Sequence, residues 1–406
     1  GEQEKGEEGM KKSPLERLMD THPGLEIWWD SSPLIYSFWA EGMLKKAPSN
    51  RVEALREQLK RLYDPEHPER ALFRGVTTNP PLSLGVIKTH ESLVAQMVDR
   101  LIEQNPCVDK EVIFWLTYKE IVRRGAEMYL EVFKRSQYRY GYLSGQVDPR
   151  ALTDKGKMIS QALELASLSP NVMIKVPGSK EGYEVIKILT SKGISTNNTL
   201  TFVLPQLMAC AKAVREGLEI AKKNGVDLTR WRSVITHMTA RYGDLGDLRK
   251  EAQSLGIDLS EAEVRWAELA IFKKAYRLIK EKNYPSKMLI CSMRISPVLD
   301  GKSHCWHLEK LAGGNIVITC PPSFIEGVFE FLDGTEFRPQ IEETIPEAVL
   351  DKLMRIPYFE KAYQEEGLTP DEFNTHPALV ATAVEFSKAT EGMVDFVAKR
   401  LASKCG

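Results

Sequence analysis

Eight short runs rich in β-branched and aromatic residues, each followed by small or polar residues and then a stretch of helical period, constrain this chain more than any other feature. They are LEIWW (25–29), RGVTT (74–78), YGYLSGQV (140–147), NVMIKV (171–176), GISTNNTL (193–200), SVITHM (233–238), KMLICSM (287–293) and NIVITC (315–320). Between them lie amphipathic candidates at 51–62, 110–134, 181–192 and 261–282. Strict alternation of strand and helix predicts a parallel sheet with helical crossovers. Eight units fit a closed (β/α)8 TIM barrel better than the alternative, an open doubly wound sheet, because no Gly-rich phosphate turn follows the first strand. LDGKS (299–303) approaches a P-loop, but Ser296 stands where that motif needs its first Gly.

At 406 residues the chain exceeds the ~250–300 at which one core stops growing, so appendages to the barrel are expected. Residues 1–24, charged at the start (GEQEKGEEGMKK), read as a mobile arm; 25–335 as the barrel; 336–406, helical in period and without strands, as an extension packed on it. The 55 Lys+Arg nearly cancel the 56 Asp+Glu, which disfavours a nucleic-acid partner. No apolar run reaches the ~18–20 residues of a membrane span, and the N-terminus has no signal-peptide core. Six cysteines lie scattered without a CxxC pair, as expected in a reducing, cytoplasmic setting. His304 and His307 flank Cys305 in SHCWH, but no second ligand pair stands nearby, so no metal is expected.

Chemistry in such a barrel sits where strands end, and polar residues collect there. Asp30 ends the first strand; Thr77, Thr78 and Asn79 the second; Gln146 and Asp148 the third; Lys175 the fourth; Asn197 and Thr199 the fifth. Thr236 and Arg241, then Ser292 and Arg294, close the later strands. Lys175 stands in the apolar run VMIKVP, where lost hydration would favour a neutral, nucleophilic amine able to form a Schiff base with a ketose. The plainer reading is a strand-end lysine reaching solvent. Asp30 suits either a helix cap or a proton acceptor for a substrate hydroxyl. Asn79, Asn197 and Thr199 suit sugar hydroxyls, although TNPP and STNN also read as turns. Ser292, Arg241 and Arg294 are the usual equipment for a phosphate monoester, with ion pairing as the structural alternative.

Two of these segments resemble the transaldolases. GVTTNPPL (75–82) is similar to that family's GVTTNPSL-type segment, and VMIKVPGSKEGYEVIKILTSKGISTNNTLTF (172–202) to its Schiff-base region. SGQVDPR (144–150) and CSMR (291–294) fall where the family's acidic and phosphate segments do. The resemblance implies a barrel that moves a dihydroxyacetone unit between sugar phosphates without metal or organic cofactor. It implies Lys175 as the Schiff-base lysine and Asp30 as acid/base. Thr77, Asn79, Asn197 and Thr199 would position substrate and water, with Thr236 near the sixth strand's end, and Arg241, Ser292 and Arg294 would hold phosphate. One departure matters: the family's water-handling glutamate is Gln146 here, as in smaller relatives that act as aldolases with help from a tyrosine near the sixth strand's end. This chain offers Thr236, His237 and Met238 there instead.

Three functions follow. The first is transaldolase-type transfer in pentose phosphate metabolism; the second, a ketose-phosphate aldolase of altered substrate; the third, a non-catalytic sugar-phosphate binder. The proton path expected of an active enzyme runs through Asp30, with His237 as the lesser candidate. A homo-oligomer is compatible with all three.

Overall fold

A computed structural model describes residues 11–405. Eight parallel strands close into a barrel: β1 (Glu26–Asp30), β2 (Phe73–Thr77), β3 (Tyr142–Gln146), β4 (Val172–Pro177), β5 (Thr196–Thr199), β6 (Ser233–Met238), β7 (Lys287–Cys291) and β10 (Val317–Cys320). β10 pairs with β7 on one side and β1 on the other, which removes the edges. The open-sheet alternative is thereby excluded. Two short strands, β8 (Val298–Leu299) and β9 (Lys302–Ser303), form a separate hairpin in the loop after β7, so LDGKS is a hairpin turn.

Helices lie between the strands where helical period predicts them, at Val52–Leu62, Lys180–Ser191 and Glu261–Glu281. The long stretch from Lys110 breaks at Tyr129, a buried ring stacked 5.1 Å from Tyr63, into Lys110–Met128 and Leu130–Arg135. Residues 13–19 correct the expectation of a charged arm. Ser13 and Glu16 form a reciprocal capping box on the helix Pro14–Met19, whose Leu15 and Leu18 are fully buried in the core. Residues 1–10 lie outside the described part.

Strand parity separates the two faces of the barrel wall. On β1, Ile27 and Trp29 face the helices, where Trp29 packs with Tyr36, Trp39 and Phe73. Glu26, Trp28 and Asp30 take the other face. Trp28 fills the barrel's middle, and β2 makes room with Gly75, where a Cβ would come 2.5 Å from the indole. Below Trp28, Glu26 holds Arg232 (Nη1 2.9 Å from Oε1) and Lys287 (Nζ 2.7 Å from Oε2), closing the N-terminal mouth with charge.

Beyond residue 336 the chain adds the helices Glu347–Met354, Pro357–Tyr363, Pro370–Phe373 and Pro377–Cys405. The last has 29 residues and so spans about 43 Å. It carries Glu385 to Arg241 beyond β6, Thr390 and Met393 to a cavity shared with Asn79 and Gln146, and Arg400 to Asp99. The helix therefore crosses the C-terminal mouth of the barrel. At its far end Cys405 Sγ lies 2.6 Å from Cys107 Sγ, both exposed, while the other four cysteines are buried. Among the described residues no helix is long and apolar enough to cross a membrane.

Candidate active site

Two-residue periodicity on neighbouring strands gathers the polar side chains into one layer. Gln146 pairs in register with Lys175, and Lys175 with Asn197; Asp30 pairs with Thr77. Asn197 Nδ2 donates to Ser144 Oγ at 3.1 Å, and Thr236 Oγ1 donates to Asn197 Oδ1 at 2.6 Å. Thr77 Oγ1 donates to Asp30 Oδ1 at 2.9 Å and lies 2.5 Å from Thr319 Oγ1. The upper half of the barrel is thus lined with hydrogen-bonding groups, a costly arrangement in a core unless they serve a ligand.

Lys175 and Asp30 are each only 4 % exposed. Lys175 Nζ donates to the Thr78 carbonyl at 2.7 Å. Burial pulls the Lys175 amine below its ordinary range, against the opposing pull of the nearby Asp30 carboxylate, while the Arg241 charge adds to the lowering. Burial likewise pushes the Asp30 carboxyl up, although Lys175, the Thr77 hydroxyl and Arg241 restrain it. Both shifts point toward the uncharged forms, as low dielectric requires of a pair without full solvation. An amine that can shed its proton faces a carboxyl that can hold one.

Gln146 is buried, yet among the described residues neither its Nε2 nor its Oε1 has a hydrogen-bond partner. A buried carboxamide with nothing to bind calls for an occupant, and Gln146 lines a cavity with Thr78, Asn79, Tyr118, Asp148, Thr390 and Met393. Thr199 Oγ1 points to the Met238 sulfur at 4.0 Å, a weak acceptor. Tyr118, which no sequence pattern singles out, accepts the Gln146 backbone N–H at 2.6 Å and can donate its own hydrogen into the cavity. It comes from the middle of the helix Lys110–Met128, where nothing in the helical pattern marks it.

Other expected residues have structural duties. Asn79 Oδ1 caps the helix Pro80–Thr89 by accepting from Leu82 N–H at 2.9 Å, so the turn reading of TNPP holds even though the residue lines the cavity. His237 is corrected outright as a proton carrier. It takes the opposite parity to Thr236, is bonded to the Phe202 carbonyl at 3.1 Å, packs on Phe272, and is pulled down to about 4 by burial. In SHCWH, His304 turns to Glu309 and His307 to Glu268, so the two rings do not converge.

At the mouth, Ser292 adopts φ +56°, a left-handed conformation that costs a non-glycine residue energy, and its carbonyl accepts from Ala240 N–H at 3.1 Å. This ties the loop after β7 to that after β6. Arg241, on the short helix Thr239–Asp244, is forked to Glu385. Arg294 is half-exposed; its Nη1 donates to the Met293 carbonyl at 3.0 Å and its Nε lies 3.7 Å from Asp244. Both arginines thus have carboxylate neighbours.

Residues 53–370 match the model of the Transaldolase/Fructose-6-phosphate aldolase family. The chain belongs to that family. Among curated relatives, it is 34% identical over 209 residues to Transaldolase 1 of Streptomyces avermitilis, a match covering 51% of this chain and 54% of that protein. It is 30% identical over 209 residues to a transaldolase of an Arthrobacter species, covering 51% and 55% respectively. A transaldolase of Kocuria rhizophila is 27% identical over 271 residues, 66% of each chain. The chain thus spans about half the length of the first two relatives.

Proposed function

We propose that this chain transfers a dihydroxyacetone unit between sugar phosphates through a Schiff base on Lys175, in the pentose phosphate chemistry of the cytoplasm. The observation that carries the reading is the buried pair of an amine with lowered basicity and a carboxyl with raised pKa inside a polar barrel lumen. Family membership supports it.

In this reading the neutral Lys175 amine attacks the ketose carbonyl, and the Asp30 carboxyl protonates the departing hydroxyl, so that loss of water leaves an iminium and an Asp30 carboxylate. Asp30 as carboxylate then accepts the proton of the C4 hydroxyl while the C3–C4 bond breaks, with its electrons passing into the iminium to give an enamine. The aldose leaves, the enamine adds to an acceptor aldehyde, and Asp30 returns the proton. Gln146 and Thr199 hold the water of imine formation and hydrolysis. Asn197, Thr77 and Thr236 order Lys175 and Asp30 and offer hydrogen bonds to sugar hydroxyls, whereas Arg241, Ser292 and Arg294 take the phosphate.

The amide at 146 favours a second reading, a ketose-phosphate aldolase that releases its enamine to a proton rather than to an aldose, because a carboxamide cannot take up a proton at neutral pH and the smaller relatives with glutamine there act as aldolases. Borohydride reduction with fructose 6-phosphate tests both. A covalent sugar fragment at Lys175, seen by peptide mass spectrometry, is expected; an adduct at another lysine, or none with any ketose phosphate, overturns the assignment. Without borohydride, enzyme that transfers the unit to erythrose 4-phosphate is a transferase, and enzyme that only releases dihydroxyacetone is an aldolase.

A further inference from the structure

The proposed phosphate subsite already contains an anion, and it belongs to the chain itself. Glu385, in the third turn of the helix Pro377–Cys405, presents both carboxylate oxygens to Arg241: Nη1 to Oε2 at 2.8 Å and Nη2 to Oε1 at 3.1 Å. This parallel fork is the geometry with which guanidinium holds two oxygens of a phosphate. The neighbouring Phe386 lies under the same guanidinium, 5.2 Å from ring centroid to Cζ, so two adjacent residues of the helix dock on Arg241. Glu385 also feels Arg294: its carboxyl is held low first by the hydrogen bonds and charge of Arg241 and then by Arg294 across space. An anion under the influence of both guanidinium groups stands where a sugar phosphate would have to go. The Arg241 side chain is 14% exposed and that of Glu385 46%, so the carboxylate has a path to solvent that the arginine lacks.

We infer that Glu385 is an intramolecular occupant of the phosphate subsite and a determinant of discrimination between phosphorylated and unphosphorylated sugars. The inference rests on the phosphate role proposed for Arg241 and Arg294. A phosphate dianion entering beside Glu385 would meet a like charge, so it takes the fork on Arg241 only as Glu385 swings to solvent. Every phosphorylated substrate therefore competes with the carboxylate, whereas an unphosphorylated ketose does not. Because Glu385 sits on the helix that covers the barrel mouth, phosphate binding also releases that helix from Arg241.

Calorimetric titration of the full chain with inorganic phosphate tests this. Glu385→Gln should tighten phosphate binding about three- to tenfold, the fold-change equivalent of one partly exposed ion pair, and lower KM for a phosphorylated ketose relative to its unphosphorylated counterpart. Arg241→Ala should abolish the phosphate affinity. In the unaltered chain, saturating phosphate should speed amide exchange over residues 380–390, and Glu385→Gln should show the faster exchange already without phosphate. Unchanged or weaker phosphate binding by Glu385→Gln, with Arg241→Ala still damaging, overturns the inference and leaves the phosphate role standing. Binding unaffected by Arg241→Ala overturns both.

Discussion

Replacing Lys175 with methionine separates chemistry from folding at a single residue. The substitution keeps length and apolar stem but removes an ammonium that burial disfavours. Borohydride trapping should vanish, while the melting temperature should stay level or rise, because the native charge is retained at a cost to stability. A lower melting temperature would mark Lys175 as part of the barrel's structural frame. Asp30→Asn tests the partner group. It leaves the Thr77 hydroxyl an acceptor but removes the base, so carbon–carbon cleavage should slow by roughly 10²–10⁴-fold while imine trapping persists. Gln146→Glu restores a carboxyl able to take up and give back a proton beside the cavity and should speed transfer from fructose 6-phosphate to erythrose 4-phosphate; loss of an existing activity on another ketose would make the amide a specificity element. Lys175, Asp30 and Gln146 could be placed at the candidate site from sequence because each lies at or near the C-terminal end of a strand, and a strand's end decides which mouth of a barrel a side chain faces. Tyr118 and Glu385 could not, since their places depend on how a helix docks rather than on any local pattern.

At the scale of the strand, parity decides what the sequence reveals. Thr236 and His237 are adjacent and both polar, yet one bonds Asn197 in the lumen and the other is sealed against Phe272. A fully buried strand is apolar on both faces, so its alternation is faint and the choice between the two residues needs the register of its neighbours. Ser144 lies two residues before Gln146 and shares its face, a signal that period two does contain. The foot of β1 shows the same logic in stability. Burial pushes the Glu26 carboxyl up, but the Arg232 guanidinium and the Lys287 ammonium outweigh it, and the group ends below its ordinary value of 4.5. Its contribution is therefore complete above pH 4.5 and is lost as pH falls toward the depressed folded value. Glu26→Gln, which strands two mostly buried cations, should cost about 3 kcal/mol at neutral pH in denaturant titrations. That cost should shrink progressively below pH 4.5; a deficit constant with pH would assign the loss to packing around Trp28 instead.

Across the whole molecule, the barrel and the C-terminal half of its covering helix rest on different cores, while Ala378, Leu379 and Phe386 of the same helix join the barrel's core. The principal core runs through the barrel wall and its surrounding helices, whereas Met393, Val394 and Val397 belong to a smaller cluster with Ile87, Val94, Val98, Ile102, Ile113 and Phe114. The C-terminal half of the helix is therefore attached by a satellite core and by the half-buried Arg400–Asp99 pair. Helical period in the tail anticipated the helix but not its path over the mouth, because an amphipathic stripe specifies that a face is buried and not against which partner. Separate cores allow separate openings. Val397→Asp places a carboxylate where the wild-type side chain is 1% exposed, a penalty of several kcal/mol that the helix escapes by undocking its second half. Amide exchange over residues 388–405 should then accelerate at least about a hundredfold, the equivalent of roughly 2.7 kcal/mol, while protection in the barrel strands and the denaturant midpoint of the barrel change little. If protection is instead lost from β1 to β10 together, the two cores unfold as one and the helix is an integral stave of the barrel rather than a cover laid across it.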